Sequence, residues 1–422
     1  FQTNVPFDPR IALPSDFVVV HRHGAPDIGE ALKTWQEQDY PPARMFFIGS
    51  DAGRKYTEGK YDGENHLDEA ETRRNGSVIE CAGVRPYMVP TEGWTRYIRE
   101  MAVDSIEQGA QAILPEEPLA HTESGYSQAF KRIWKERYGE EWREPHSSPE
   151  AFWKASKLKS DLYYELVEAI LDETTRAEKN LAREVSFILP IHSLLSHAAG
   201  HMVYPSGRSL DLIEKGLDGF VGQVWTGPIA WSMSRSEGKK MTREDDFFES
   251  AYLLYSYFAN LSYGTGVPCF MLADPVEDDP QYQWEDYKDW YEKSLVTMLL
   301  FPWADHFEVM PWPDRVFLPG HTMGGGSPGP EPYRRTLVSV FSALREISRT
   351  PASDFDRAKN PVLGYVVNDT LGWQRGGPDG SRMESLHGLT VPWLKRGVPI
   401  QIVPLERSED PNYLDRFDML VV

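Results

Sequence analysis

Two adjacent carboxylic acids, Glu116 and Glu117, directly follow the short apolar run AILP and precede a proline. A buried carboxylate is costly unless a partner compensates its charge. Two neighbouring carboxyl groups also repel each other when both are ionised, which raises the pKa of one of them, as a general acid requires. The pair is therefore a candidate for acid and base chemistry, and a solvated loop is the alternative interpretation.

Other polar and aromatic residues also stand where apolar runs end. A sugar needs this mixture, because polar groups bind its hydroxyls and aromatic rings cover its C–H face. In a barrel of parallel strands, such groups collect at the carboxyl ends of the strands and in the loops that follow. The residues that we expect to shape a sugar subsite, together with Glu116, are His21, His23, Asp51, His192, Gln223, Trp225 and Trp312.

Cleavage of a glycosidic bond needs two carboxyl groups, one on each side of the bond. Glu117 at the end of the predicted fourth strand supplies one of them. Asp274 or Glu277, after the predicted seventh strand, supplies the other. These strands face each other across the mouth of a barrel, so the sequence predicts a two-carboxylate glycoside hydrolase.

The elements that would position these residues alternate between short apolar runs and amphipathic helices, a pattern typical of βα units. Helices are predicted at 91–110, where Thr91 caps the first turn, and at 150–182. We predict an α/β fold with a (β/α)8 TIM barrel over residues 1–350. Its strands are predicted at 17–24, 44–51, 84–90, 111–118, 184–193, 219–227, 267–275 and 306–313.

A second unit is predicted from residue 355 to residue 422. Residues 360–369, 400–406 and 417–422 are expected to be strands, and residues 385–399 are expected to form a helix. This order predicts the start of a flavodoxin-like α/β domain, cut short at the end of the given sequence.

The sequence PEEP around Glu116 and Glu117 resembles the Asn-Glu-Pro signature of the large clan of retaining (β/α)8 glycoside hydrolases. With the aromatic-rich residues 125–139, it resembles the family 42 β-galactosidases and their bacterial relatives. Residues 386–403 resemble the flavodoxin-like domain of those enzymes, through which they form trimers. The resemblance covers the order of the domains and these motifs.

The resemblance implies that Glu117 is the acid/base and that Glu116 replaces an asparagine that touches a substrate hydroxyl. It further implies a homotrimer and removal of a terminal sugar from an oligo- or polysaccharide. The clan has a nucleophilic glutamate at the end of its seventh strand, whereas MLADPVEDDP offers Asp274 and Glu277 there.

The sequence HRHG at 21–24 supports a different enzyme class. Alternate residues of a strand point the same way, so His21 and His23 could hold a metal ion as in amidohydrolase barrels. The predicted sixth strand has no histidine and the eighth lacks the aspartate of that family. A third interpretation is a non-catalytic sugar-binding barrel, which the unusual seventh strand permits.

Composition excludes several classes of partner. The formal net charge of −20 argues against nucleic acids and anionic membranes, since both require a basic surface. No apolar run approaches the ~20 residues that span a bilayer. The chain has two cysteines, its GGG at 324–326 lacks the Lys-Ser/Thr of a phosphate loop, and no GxGxxG follows the predicted strand at 360–369. We therefore expect no metal or organic cofactor. A cytoplasmic, periplasmic or secreted location is compatible with this composition.

Overall fold

Eight parallel strands form one curled sheet in the computed structural model. The structure describes residues 1–21, 28–81, 83–224, 247–275, 277, 282–301, 303–308, 312–321, 326–349, 362–373, 384–410 and 412–422. The strands of these ranges are β1 Gln2–Thr3, β2 Val18–Val20, β3 Pro42–Phe47, β4 Glu80–Cys81, β5 Arg85–Pro86, β6 Ala112–Glu116, β7 Ala120–His121, β8 Ser186–His192, β9 Met202–Val203, β10 Gly219–Gln223, β11 Cys269–Leu272, β12 His306–Glu308, β13 Leu363–Val367, β14 Ile400–Pro404 and β15 Met419–Val421.

The curled sheet has the strand order β1-β2-β3-β6-β8-β10-β11-β12, and every neighbouring pair in it is parallel. The order follows the sequence because each strand returns to the sheet after a crossover, as in successive βα units. This arrangement is TIM-barrel-like, and the predicted α/β barrel fold is confirmed.

Side chains of these strands divide between two apolar clusters according to sequence parity. Successive residues of a strand point to opposite faces of a sheet. One set packs within the curl of the sheet and contains Val19, Met45, Leu114, Val221 and Leu272. The alternate set packs with the helices and contains Val18, Val20, Phe46, Ile113, Phe220 and Met271. The sheet therefore has an inner face and a helix-covered face.

The helix predicted at 91–110 begins at the capping side chain that the sequence predicts. Thr91 caps the helix predicted at 91–110 by accepting a hydrogen bond from the amide of Trp94 at 3.0 Å. This helix and the one predicted at 150–182 are confirmed. The described α-helices are α1 Gly29–Gln36, α2 Glu92–Glu107, α3 Gln128–Tyr138, α4 Pro149–Leu181, α5 Leu194–Ala199, α6 Phe247–Ser262, α7 Trp284–Leu299, α8 Pro313–Phe317, α9 Glu331–Arg349 and α10 Glu384–Leu394. None of the helices in the described ranges is long and apolar enough to cross a membrane.

One predicted barrel strand is wrong. Residues 84–90 do not enter the curled sheet, because β5 pairs antiparallel with β4 and Tyr87 bridges antiparallel to Ser50. Their apolar character arises from burial of this loop against the barrel. The first barrel strand is instead β1, so the strands predicted first and second are the second and third. From β6 onward the predicted count and the observed count agree.

Residues after 362 form a separate three-stranded parallel sheet with the order β14-β13-β15. Strand β14 lies against helix α6, where Asn260 Nδ2 donates a hydrogen bond to the carbonyl of Ile402 at 2.9 Å. The amide of Ile402 in turn donates to Ser256 Oγ at 3.0 Å. The division into a barrel up to 350 and a flavodoxin-like domain from 355 stays a prediction.

We predict that Gly49→Ala lowers the free energy of unfolding by about 1–3 kcal/mol. A Cβ at this position would lie 2.5 Å from the carbonyl oxygen of Glu117, so the backbone at the end of β6 would have to shift. Urea denaturation followed by circular dichroism measures the change.

Gly388→Ala is the matched control, because a Cβ there meets nothing within 4 Å and the residue lies inside helix α10. This control should be neutral or stabilise the protein by up to about 1 kcal/mol. Equal stability changes in the two variants would contradict the steric argument.

Candidate active site

The inner face of the barrel continues into a row of polar and aromatic residues at the carboxyl ends of the strands. Each row member lies an even number of positions, two or four, after an inner-face apolar residue and therefore points the same way. Most of the row is buried. Its members are His21, Phe47, Glu116, His192, Gln223 and Asp274.

Glu116 is at the centre of this row. Its Oε2 bonds to His21 Nε2, and its Oε1 accepts a hydrogen bond from Gln223 Nε2 at 2.9 Å. Burial raises the pKa of Glu116 to about 7, and the charge of Asp274 adds to this effect. Burial also lowers the pKa of His21 well below 6.5, so the imidazole is neutral. The result is a polar cluster drawn from three barrel strands.

Arg44 fixes the ends of β2 and β3 beneath the site. This buried guanidinium donates to the carbonyl oxygens of Val20 at 3.1 Å, of Met45 at 2.7 Å and of His21. Burial lowers its pKa to about 10, so it remains charged near neutral pH. The side chain thus stabilises the backbone that presents His21 to Glu116.

Glu117 leaves the row although it directly follows Glu116. Its backbone has a φ of 53°, in the left-handed region, so the chain turns and the side chain enters different surroundings. Within the described part of the chain, its buried Oε2 has no hydrogen-bond partner. Burial raises the pKa of Glu117 to about 8, helped by the charge of Glu116 and opposed by Arg85 and His121. Glu117 is therefore mostly protonated at neutral pH.

The two candidate partner carboxylates have different neighbours. Arg315 Nη1 donates to Asp274 Oδ1 at 3.3 Å, so a cation lies directly beside this carboxylate. The hydroxyl of Tyr333 donates to Glu277 Oε1 at 2.8 Å. Burial, followed by the charge of Asp274, raises the pKa of Glu277 to about 7. Asp274 is therefore better suited to act as an anion than Glu277.

Aromatic rings cover one side of the polar cluster. The ring centroid of Phe47 lies 4.9 Å from that of His21, and the half-buried ring of Trp312 lies 5.4 Å from it. The guanidinium of Arg315 lies 5.0 Å from the Trp312 centroid. Trp312 thus connects the His21 side of the site with the Asp274 side.

The other predicted site residues are placed as follows. His192 is buried in the row beside Gln223, and burial lowers its pKa to about 4. Asp51 is not a member of the row, and its Oδ2 caps a turn by accepting hydrogen bonds from the amide of Thr57 at 2.8 Å and from its hydroxyl at 2.7 Å. His23 and Trp225 lie outside the described residues, and their roles stay predictions.

Sequence reasoning missed several residues that contribute to the site. Arg85 lies in the wrongly predicted barrel strand at 84–90 and Arg315 lies in helix α8, so the ends of the predicted strands do not identify them. Glu308, by contrast, lies in a strand that was predicted and pairs in register with Leu272 of the inner face. Burial raises its pKa to about 7. The alternation of residues along β12 is the signal that could have found it.

The next question is whether the described residues could bind a metal ion. Among the residues that it describes, no group of three or more His, Cys, Asp or Glu side chains is arranged to hold a metal ion. Of the two histidines in the predicted metal motif, His21 bonds to Glu116 and His23 is outside the described ranges.

Comparisons with known proteins agree on the fold. No family model and no curated protein matches this sequence. The β-galactosidase from Bacillus circulans sp. alkalophilus superposes with a TM-score of 0.60 at 11% identity, over 96% of this chain and 62% of that one. GH5_18 from Streptomyces cattleya in complex with GlcNAc superposes with a TM-score of 0.50 at 13% identity, over 97% of this chain and 90% of that one.

These two neighbours are glycoside hydrolases, and at such identities the likeness is one of fold. This chain spans less than two thirds of the length of the β-galactosidase. The specific resemblance to family 42 remains an expectation from the sequence motifs.

We predict that Glu117→Gln changes how the stability of the protein depends on pH. The pKa of Glu117 rises from about 4.3 in the unfolded chain to about 8 in the folded one. Its stabilising contribution is therefore complete below the unfolded pKa and is lost as pH rises toward 8. Glutamine stays neutral at every pH. The free energy of unfolding of the variant should therefore rise relative to that of the wild type by up to roughly 1.4 kcal/mol per pH unit between pH 5 and 8.

Urea denaturation at intervals from pH 5 to pH 9 measures this difference. Glu136→Gln is the control, because Glu136 is exposed on helix α3. Its stability should follow the wild-type curve. Parallel curves for the wild type and Glu117→Gln would show that Glu117 is not a buried, protonated carboxyl group.

Proposed function

We propose that this protein is a glycoside hydrolase in which Glu117 is the general acid/base and Asp274 is the second carboxylate. One observation carries the proposal: Glu117 is buried and protonated near neutral pH, while Asp274 lies beside the cation of Arg315. Glycosidic cleavage needs this difference in protonation between two carboxyl groups. The barrel fold shared with known glycoside hydrolases is consistent with it.

In the proposed reaction, Glu117 gives its proton to the glycosidic oxygen as the bond to the anomeric carbon breaks. Asp274 attacks the anomeric carbon and forms a covalent ester, in the retaining mechanism that the PEEP motif implies. Glu117, now ionised, removes a proton from a water molecule that releases the sugar. Arg315 stabilises the charge of Asp274 before the attack and again when water has released the carboxylate from the ester.

The remaining residues of the row are proposed to bind the sugar. Glu116, His21 and Gln223 already form one hydrogen-bonded cluster, and their polar atoms can exchange bonds with sugar hydroxyls. The ring of Trp312 offers an apolar surface for the C–H face of the sugar.

The oligomeric state is a separate part of the proposal. The resemblance implies a homotrimer, and light scattering tests it.

We predict that Glu117→Gln lowers kcat on one 4-nitrophenyl glycoside by roughly a hundredfold or more, because it removes the proton donor. The panel includes β-galactoside, β-glucoside, β-mannoside, α-L-arabinoside and uronides. The loss of kcat should be smaller on a 2,4-dinitrophenyl glycoside of the same sugar, since its leaving group needs little protonation. Glu136→Gln should retain wild-type activity.

Undiminished turnover by Glu117→Gln would remove Glu117 from the mechanism. Sugar binding by a wild type that hydrolyses nothing would favour the non-catalytic barrel. About one or two transition-metal ions bound per chain would favour the amidohydrolase.

We predict that Asp274→Asn abolishes turnover more completely than Glu277→Gln, with a loss of roughly a thousandfold or more. Added azide should restore turnover in the Asp274 variant and yield a glycosyl azide of inverted anomeric configuration. The measurement is product analysis by NMR. Rescue in the Glu277 variant alone would reverse the assignment of the two carboxylates.

A further inference from the structure

We propose that Arg85 binds a carboxylate group of the substrate, so that the sugar taken by this site is an acidic one, such as a hexuronic acid. This inference rests on the glycoside hydrolase function proposed above and names its substrate class. It comes from a half-buried cation at the mouth of the barrel that forms no ion pair with a carboxylate of the described residues.

Arg85 lies at the edge of the row of residues at the carboxyl ends of the strands. Its guanidinium carbon lies 3.9 Å from the ring centroid of Phe47, which contacts His21. Its Nη2 donates to Cys81 Sγ at 2.9 Å. A guanidinium has five N–H donors in a planar fork. In the described part of the chain, one of the five is used, and its acceptor is a weakly accepting sulfur.

The other arginines around the site already have hydrogen-bond or ion-pair partners. Arg315 pairs with Asp274, Arg54 pairs with Glu80, and Arg44 donates to three backbone carbonyls. Arg85 forms no ion pair with any described carboxylate. Arginine binds carboxylates through two parallel hydrogen bonds, so an external carboxylate is the partner that suits this fork.

The hairpin that carries Arg85 is held in place by its own contacts. Strands β4 and β5 pair antiparallel, and the amide of Asp51 donates to the carbonyl of Pro86 at 2.9 Å. Arg54 Nε donates to the carbonyl of Val84 at 2.9 Å while its Nη2 bonds to Glu80. Arg85 is thus presented by an ordered element, which reduces the entropic cost of binding.

The charge balance of the site also permits an anionic substrate. Burial raises the pKa of Glu117 to about 8 and the pKa of Glu116 to about 7, so both carry protons in weakly acidic solution. The charge of Asp274 is compensated by Arg315, and His21 is neutral. Under these conditions two arginines near the carboxyl groups form no ion pair with a described carboxylate, and Arg85 is the half-buried one, since Arg44 is buried against backbone carbonyls.

A competing role for Arg85 is purely electrostatic. Its charge opposes the effect of burial on the pKa of both Glu116 and Glu117. In that case loss of Arg85 would raise the pKa of these carboxyl groups and shift the alkaline limb of the pH–rate profile to higher pH. The effect would be the same for neutral and acidic sugars. Measurements on matched substrate pairs separate the two roles.

The test uses the full chain with 4-nitrophenyl α- and β-glucuronides and galacturonides, each beside its neutral hexoside. The wild type should prefer a uronide in kcat/KM by at least about tenfold. Arg85→Gln should lower kcat/KM more on the uronide than on the hexoside, by about tenfold or more and mainly through KM. Arg85→Lys should recover part of the difference, and the exposed Arg132→Gln should match the wild type.

Calorimetric titration with free glucuronate, galacturonate, glucose and galactose runs in parallel. Turnover of hexosides with no uronide preference would overturn the Arg85 proposal and leave the glycosidase standing. Uronate binding that is lost in Arg85→Gln, without turnover of any glycoside, would support the Arg85 proposal and overturn the catalytic one. Equal losses on both sugars, with a shifted pH profile, would assign the electrostatic role instead.

Discussion

The hydrogen bonds that hold Glu116 between His21 and Gln223 are the constraint on which the site depends. They join β6 to the ends of β2 and β10, strands that are far apart in the sequence. They also compensate a carboxyl group that would otherwise be buried without partners. The neutral imidazole of His21 and the raised pKa of Glu116 follow from the same burial.

Two neighbouring glutamates have distinct environments because the backbone turns between them. Glu116 ends a strand and faces the barrel interior, whereas the left-handed conformation of Glu117 directs its side chain toward the β4–β5 hairpin. Gly49 makes this turn possible, because any side chain there would collide with the Glu117 carbonyl. Adjacent acids can therefore differ in role without differing in residue type.

The sequence was sufficient to predict the barrel and most of the central row, because alternation along a buried strand fixes which residues face inward. It was insufficient for β1, since a two-residue strand shows no periodicity, and for residues 84–90, whose burial by a loop imitates a strand. Arg85 and Arg315 could not be predicted either. Arg85 lies in the segment that imitates a strand and Arg315 lies in the short helix α8, and both contribute through tertiary contacts that no periodicity predicts.

Helix α8 is a single turn, and the residue that precedes it is Trp312, while Arg315 lies within it. The ring beside His21 and the counter-ion of Asp274 are therefore parts of one short element. A displacement of that turn would move Trp312 relative to His21 and Arg315 relative to Asp274 at the same time. In the glycosidase proposed above, diversification of this loop in evolution would thus change the ring that faces the sugar and the cation beside the second carboxylate together.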